Sequence, residues 1–280
     1  MSQVREPVLK RYSLEVTPRD ADAFDAVGRL LPHGSEVFVA ELPHQEPELL
    51  LDAAVRYRRA GFRPVPHLVA RNILGARELA ALLSKLAREA AVDRVLVLGG
   101  DRDEPAGPFS EALDLIDAGT LQEHGITSVA FACFPEGHPR ISDVALQEAL
   151  EAKLAAARQG GLDVLLISQF VFDADPLVSY AKCLRAAGIS VPMRVGIAGP
   201  ADAETLLRFG DELGVGRSKQ AMRGLAASPT QRQAEQTPRD LVIAIAAAQA
   251  ADPSLGIEGF HFFAFGITAR TIDWAESHRT

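Results

Sequence analysis

The chain contains only two cysteines, Cys133 and Cys183, among its 280 residues. They lie in apolar or helical contexts and form no close pair of the kind that binds a metal, so buried thiols are expected. The N-terminal segment MSQVREPVLKRYSLEV has no long apolar run, so neither a signal peptide nor a transmembrane segment is predicted. The expected compartment is therefore the cytoplasm.

Positive charge is scarcer than negative charge. The formal net charge is −8 and the pI is about 5.4, which argues against a general affinity for nucleic acid or for an anionic membrane. The sequence also lacks an HExxH motif, a Cys/His metal cluster, a P-loop and a convincing Ser/His/Asp set. No metal site is predicted.

What the chain has in abundance is apolar segments of strand length, which alternate with long amphipathic helical patterns. With 48% hydrophobic and 24% charged residues, the composition is typical of a soluble globular protein with a substantial core. Eight segments have strand character: YSLEV (12–16), EVFVAEL (36–42), RPVPHLVA (63–70), RVLVLGG (94–100), TSVAFACF (127–134), VLLISQFVF (164–172), VPMRVGIA (191–198) and GFHFFAF (259–265).

The patterns between these strands predict helices and the direction of the strands. In GARELAALLSKLAREAA, Leu79, Leu82, Leu83 and Leu86 recur at the spacing of one buried helix face. Alternating β and α units indicate parallel strands with both faces of the sheet covered. We therefore predict a single (β/α)8 TIM barrel domain over residues 1–280. A doubly wound open sheet is the competing fold, but no GxGxxG motif follows the first strand and no break in composition divides the chain.

The main irregular region is the segment MRGLAASPTQRQAEQTPRD (222–240). We interpret it as a flexible surface connection between the helix after strand seven and a helix that begins near Pro238. This interpretation is preferred to a lid over a site.

Polar residues at the carboxyl ends of the strands are the candidates for chemistry, because active sites of such barrels lie there. Glu15 stands among apolar neighbours on strand one. Partial desolvation would favour its protonated form and suit it to general-acid work. From spacing alone, a carboxylate neutralised by a nearby arginine is an equally good interpretation. His67 ends strand three, where a structural role is the commoner one.

The next three strands add further polar groups. Asp101 follows two glycines at the end of strand four, and glycine permits a ligand to approach the backbone closely. Strand five ends in FPEGHP, which contains Glu136 and His138. Gln169 on strand six carries an amide that can bind the donor and acceptor edge of a heterocycle. A ring of polar groups around one mouth of the barrel is typical of an active site.

The order of these segments resembles the methylenetetrahydrofolate reductase family over nearly the whole chain. The segments that carry the resemblance are SLEVTPR, PHL, LGGD, FPEGHP, SQFVFD, CLRAAGISVPMRVGI and GFHFFAF. The resemblance implies a (β/α)8 barrel that holds FAD at its carboxyl face and reduces methylenetetrahydrofolate to methyltetrahydrofolate with NAD(P)H.

The resemblance also implies roles for individual residues. Glu15 corresponds to the general acid that protonates the folate, and Asp101 to the aspartate near the flavin and the pterin. Gln169 corresponds to the glutamine that contacts the folate. The cofactor-binding positions that it implies are His67, Leu98, Gly99, Gly100, Asp101, Phe134, His138 and Arg158.

This chain departs from the family pattern at several positions that would contact the flavin. The family's arginine, tyrosine and threonine are replaced by Gly99, Phe134 and Ala40, and the late segment HFYTLNR is replaced by HFFAFGI, which brings in Phe263, Gly266 and Ile267. With fewer polar contacts we predict that FAD is held weakly, with Arg71 as a residue that could compensate.

The sequence therefore predicts an enzyme that transfers hydride from NADH or NADPH through FAD to methylenetetrahydrofolate. Two alternatives stay open: oxidation of methyltetrahydrofolate in a one-carbon or demethylation pathway, and a barrel that binds folate without turning it over. No ribose-binding motif distinguishes NADH from NADPH. A homo-oligomer is compatible with the sequence, although no interface is legible in it.

Overall fold

The computed structural model describes residues 9, 11–41, 46–212 and 235–279. Eight parallel strands form a closed barrel in the order β1-β10-β7-β6-β5-β4-β3-β2, so the prediction of a (β/α)8 TIM barrel is confirmed. These strands are β1 (Tyr12–Val16), β2 (Glu36–Val39), β3 (Arg63–Val69), β4 (Arg94–Leu98), β5 (Ser128–Cys133), β6 (Asp163–Ser168), β7 (Met193–Ala198) and β10 (Ile257–Phe263).

Helices follow the strands along the described chain. They are α1 (Ala21–Leu30), α2 (Pro47–Arg59), α3 (Ala76–Ala90), α4 (Ala112–Asp117), α5 (Thr120–Glu123), α6 (Asp143–Gln159), α7 (Ala174–Ala186), α8 (Ala203–Glu212), α9 (Arg239–Ala251) and α10 (Thr268–Ser277). Short 3₁₀ turns cover Ala70–Asn72 and Pro253–Leu255, and two-residue strands β8 (Ala201–Asp202) and β9 (Glu235–Gln236) pair antiparallel. The predicted irregular segment 222–240 lies largely outside the described residues.

The chain divides into two compact units. The N-terminal unit comprises Ser13–Ala132 and Gln147–Leu166, and the C-terminal unit comprises the described parts of Met1–Tyr12, Cys133–Leu146 and Ile167–Thr280. The prediction of one domain over residues 1–280 stays a prediction.

In the N-terminal unit, apolar side chains hold helices against the strands. Leu79, Leu83 and Leu86 of α3 are fully buried, as the helical spacing predicts, whereas Leu82 is only half-buried. β1 pairs with β2, β2 with β3, β3 with β4 and β4 with β5, all parallel. The carboxyl ends of these five strands therefore point the same way.

Ionic contacts gather at the amino ends of the strands in this unit. Arg94 at the start of β4 pairs with the buried Glu36 of β2 and donates to Ser128 Oγ at 2.8 Å. Arg63 pairs with Asp93 at 3.2 Å. Because this end of a barrel serves stability, the contacts fix strand register and leave the carboxyl ends for chemistry.

In the C-terminal unit, β7 and β10 pair in parallel over most of their length. Tyr12 packs edge-on against Phe262 with ring centroids 5.5 Å apart, and its hydroxyl donates to Glu276 Oε1 at 2.6 Å. Burial, followed by this hydrogen bond, raises the pKa of Tyr12 well above its ordinary value. The contact ties β1 to α10.

Several strands end earlier than the sequence pattern predicts. β2 ends at Val39, β4 at Leu98 and β6 at Ser168, while His67 lies inside β3 and does not end it. Three polar residues assigned to strands or their ends are thus loop residues directly after a strand: Glu41, Asp101 and Gln169. Loops at this edge can place side chains over the barrel mouth.

Candidate active site

In the N-terminal unit, Glu15 and His67 lie close together near the carboxyl ends of β1 and β3. Glu15 is the penultimate residue of β1, and its Oε2 lies 3.4 Å from His67 Nε2 on β3. The two side chains are 21% and 7% exposed, respectively. The separation is within reach of an ion pair, yet Nε2 makes no hydrogen bond of acceptable geometry with any described residue. A histidine therefore lies within ion-pair distance of the Glu15 carboxylate.

Asp101 lies in the loop after β4, where its side chain is exposed. Because β1 and β4 belong to one run of parallel strands, Asp101 and Glu15 lie at the same end of the strands. Gly100 has φ +104°, and a Cβ there would lie 2.4 Å from Val69 Cγ1. Packing against Val69 therefore requires glycine at this position, a reason that the sequence does not show.

Gly99 and Leu98 precede this turn and differ from Gly100 in their surroundings. Leu98 ends β4, is half-buried, and lies opposite Val69 in the parallel register. A Cβ on Gly99 would find its nearest atom, Glu111 Cα, 4.0 Å away. Position 99 therefore has room for a side chain, and its glycine is not required by packing.

Glu41 is an acid beside these residues that the sequence did not single out. It follows β2 and accepts hydrogen bonds from Val69 N at 3.2 Å and from Asn72 Nδ2 at 2.9 Å. Burial raises the pKa of its carboxyl, while these two hydrogen bonds and the field of His67 oppose the rise and Glu78 adds to it. An acid directly behind an apolar strand, the same signal that singled out Asp101, would have found it.

In the C-terminal unit, Phe134 and His138 pack together on the turn after β5. Their rings meet edge-on with centroids 5.2 Å apart. Gly137 N donates to Phe134 O at 3.1 Å and closes the turn, and His138 Nδ1 accepts from Arg140 N at 3.2 Å. His138 is thus oriented by the backbone of its own turn.

Gln169 is anchored where β6 ends. Its backbone N donates to Cys133 O at 2.8 Å, and its side-chain Oε1 accepts from Phe170 N at 3.0 Å. Beside it, Ser168 Oγ accepts from Gly196 N of β7 at 2.8 Å. A Cβ on Gly196 would lie 2.2 Å from Ser168 O and 2.9 Å from Gln169 C, so the close approach of β7 depends on this glycine.

The position of Arg158 is unlike that of the other predicted cofactor residues. It is exposed in the last turn of α6, and its carbonyl accepts from Gly161 N in the turn before β6. There Asp163 N bonds Thr127 O, at the amino ends of β6 and β5. Since a 17-residue helix is about 25 Å long, Arg158 lies far from the end where α6 begins. This placement does not favour it as a ligand at the carboxyl ends.

Aromatic rings occupy the region where the late family segment differs. Phe263 and Phe265 stack with an interplanar angle of 17° and centroids 6.1 Å apart, and both contact the buried Phe170 edge-on. Phe265 has φ +47°, a conformation that is strained for an aromatic residue. The carboxyl end of β10 is therefore apolar, where the family pattern has hydrogen-bonding side chains.

Among the described parts of the chain, no group of three or more His, Cys, Asp or Glu side chains is arranged to hold a metal ion. No helix in those parts is both long enough and apolar enough to cross a membrane.

A closed parallel barrel with acid, histidine and amide side chains at the carboxyl ends of its strands is the architecture of a (β/α)8-barrel enzyme. A solved dihydropteroate synthase (FolP) from Thermus thermophilus shares the fold, with a TM-score of 0.50 and 16% identity over 97% of this chain and 95% of that chain. The model of the methylenetetrahydrofolate reductase family matches residues 50–270. The chain belongs to this family and is a folate-related oxidoreductase that acts on methylenetetrahydrofolate.

Proposed function

We propose that the enzyme reduces 5,10-methylenetetrahydrofolate to 5-methyltetrahydrofolate with NADH or NADPH as the hydride source and FAD as the intermediate carrier. The balance is one hydride from the nicotinamide and one proton, which together open the five-membered ring of the folate and leave a methyl group. The observation that carries the proposal is the contact between Glu15 and His67 at the carboxyl ends of β1 and β3, in a chain of this family.

The predicted cofactor residues fit the ring of FAD better than its phosphates. His67 Nε2 is buried and has no hydrogen-bond partner among the described residues, so it is a polar atom that a heterocycle could satisfy. Arg71, the expected compensating donor, instead directs its guanidinium to backbone carbonyls of the loop after β4. His67, Gly100, Phe134 and His138 would hold the flavin, which when bound supplies two-electron hydride chemistry.

Glu15 is the proposed donor of the proton that opens the folate ring. Opening the folate ring requires a proton on nitrogen, and a largely buried carboxyl near the carboxyl end of β1 is a suitable donor. His67 Nε2 lies 3.4 Å from the Glu15 carboxyl, within ion-pair distance of it. The proposed proton donor therefore lies beside one of the residues proposed to hold the flavin.

Asp101 and Gln169 are assigned to substrate binding. The exposed carboxylate of Asp101 can accept hydrogen bonds from the amino edge of a pterin. Because Gln169 Oε1 accepts from Phe170 N, the orientation of its amide is set by the backbone. Its NH₂ group is then the part of the side chain that can donate to the folate.

Two alternatives share the barrel and the folate site. In the first, the enzyme oxidises methyltetrahydrofolate within a one-carbon or demethylation pathway. In the second, the barrel binds folate without turnover, which the missing polar contacts to the flavin would favour.

Purified enzyme should be assayed in both directions, with and without added FAD and with NADH and NADPH separately, beside a binding titration with methyltetrahydrofolate. Reduction of methylenetetrahydrofolate that depends on FAD and a nicotinamide supports the proposal. Oxidation alone supports the first alternative, and binding without turnover supports the second. Purified protein that is colourless and stays inactive when FAD is added would contradict the flavin step.

A further inference from the structure

The loop after β4, residues 99–110, is held in place by one arginine from the neighbouring strand connection. Arg71 Nη1 donates to Arg102 O at 2.9 Å and to Asp103 O at 3.0 Å. Its Nε donates to Ser110 O at 2.9 Å. Its backbone joins the loop as well, because Arg71 N donates to Gly99 O at 3.0 Å and Ala106 N donates to Arg71 O at 2.9 Å. One residue thus bridges the beginning, middle and end of the loop that carries Asp101.

The loop is also packed tightly on the segment around Arg71. A Cβ on Gly107 would lie 2.4 Å from Leu74 O and 2.5 Å from Ile73 O, and a Cβ on Gly100 would lie 2.4 Å from Val69 Cγ1. The atoms that a Cβ on Gly107 would meet belong to the backbone, which cannot yield as the end of a flexible side chain can. The loop therefore packs closely on residues 69–74 at Gly100 and Gly107, and Arg71 provides the polar part of that contact.

The segment that presents Arg71 is itself fastened by Glu41. The Glu41 carboxylate accepts hydrogen bonds from Val69 N and from Asn72 Nδ2. Val69 precedes the 3₁₀ turn Ala70–Asn72, and Asn72 is its last residue. Both hydrogen bonds involve a carboxyl that burial makes costly to ionise. The structure thus keeps a half-buried acid where its contacts set the path of the chain on either side of Arg71.

We propose that Arg71 and Glu41 are positioning residues, which place Asp101 for folate through the loop after β4 and contact neither folate nor flavin themselves. The proposal rests on the proposed function only where folate is used as the probe. Arg71 suits this task because its planar fork can donate to several carbonyls at once. A lysine carries the same charge but cannot reproduce the arrangement.

The first experiment needs no activity. Hydrogen exchange of the amides in residues 99–110 should be measured for wild type, Arg71→Ala, Arg71→Lys and Glu41→Gln, with Arg77→Ala as the matched control. Arg77 is exposed in the first turn of α3 and lies only six residues along the chain. Exchange should accelerate about tenfold or more in Arg71→Ala and less in Arg71→Lys and Glu41→Gln, and stay unchanged in Arg77→Ala. Unchanged exchange in Arg71→Ala would overturn the proposal, whatever reaction the enzyme catalyses.

The second experiment asks whether Arg71 acts through Asp101. The dissociation constant of methyltetrahydrofolate should rise about tenfold in Arg71→Ala, but change little when the same substitution is made in Asp101→Asn. A purely structural arginine would weaken binding equally in both backgrounds, and that additive result would overturn the coupling to Asp101. If wild type binds no folate while Arg71→Ala still frees the loop, the proposed function fails and the positioning role stands.

Discussion

Glu15→Gln is the substitution that separates a general acid from a structural carboxylate. Glutamine has nearly the shape of glutamate but no acidic proton, so reduction of methylenetetrahydrofolate should fall about 10²–10⁴-fold. At 1.36 kcal/mol for each factor of ten, that loss is about 2.7–5.4 kcal/mol of transition-state stabilisation. Reduction of the flavin by NAD(P)H does not use this proton and should be nearly unaffected.

The loss of the ion pair with His67 should have a much smaller effect on stability. Glu15 is 21% exposed and contacts His67 at 3.4 Å without a well-formed hydrogen bond. A partly screened ion pair of this kind contributes about 0–1 kcal/mol. For a chain of this size, loss of that ion pair should lower the melting temperature by about 2–4 °C, which is too little for unfolding to account for a hundredfold loss of activity.

The assay is stopped-flow measurement of the two half-reactions, with a melting curve for each variant. Glu258→Gln is the matched control, because Glu258 also forms an ion pair, with Arg194 at 2.9 Å, and is 27% exposed. It lies at the amino end of β10, away from the carboxyl ends of the strands, and both half-reactions should stay at the wild-type rate. Equal loss in both half-reactions for Glu15→Gln, in proportion to lost folded protein, would refute the general-acid assignment.

Three further predictions follow from the geometry. Because burial raises the pKa of Glu41 above its ordinary value of 4.5, ionising it costs more in the folded than in the unfolded protein. Wild type should therefore lose stability relative to Glu41→Gln as the pH rises from 4.5 through the raised pKa, and a difference in melting temperature that does not vary with pH would contradict this. Wild type should bind FAD weakly, and a sub-nanomolar dissociation constant for FAD would refute this. Gly99→Arg should lower the dissociation constant of FAD about tenfold or more in a fluorescence titration, since position 99 has room for a side chain. Gly196→Ala should destabilise the protein by about 1–3 kcal/mol, because its Cβ would meet backbone atoms of Ser168 and Gln169. Gly28→Ala in α1 is the control: nothing lies within 4 Å of a Cβ there, so this substitution should not lower the melting temperature.

The barrel itself could be predicted from the sequence because its signals are local. Apolar runs of strand length and helical spacing such as that of Leu79, Leu83 and Leu86 depend only on neighbouring residues, and all eight predicted strands overlap observed ones. The position of Asp101 behind two glycines was legible for the same reason. The ends of the strands were harder to predict, because apolar residues continue past the last residue of a strand, as in the segment after Ser168.

The contacts that give these residues their chemistry were decided only by the tertiary structure. His67 lies beside Glu15 because the register of β1, β2 and β3 brings together side chains far apart in the sequence. The sequence marks Arg71 only as a residue that could compensate for lost contacts to FAD, whereas in the structure its Nε and Nη1 donate to backbone carbonyls of the loop after β4. Glu41 is half-buried and accepts hydrogen bonds from Val69 at the end of β3 and from Asn72 in the turn after it. Sequence periodicity determines which face of an element is buried, but the partner of a polar side chain depends on the packing of several elements at once.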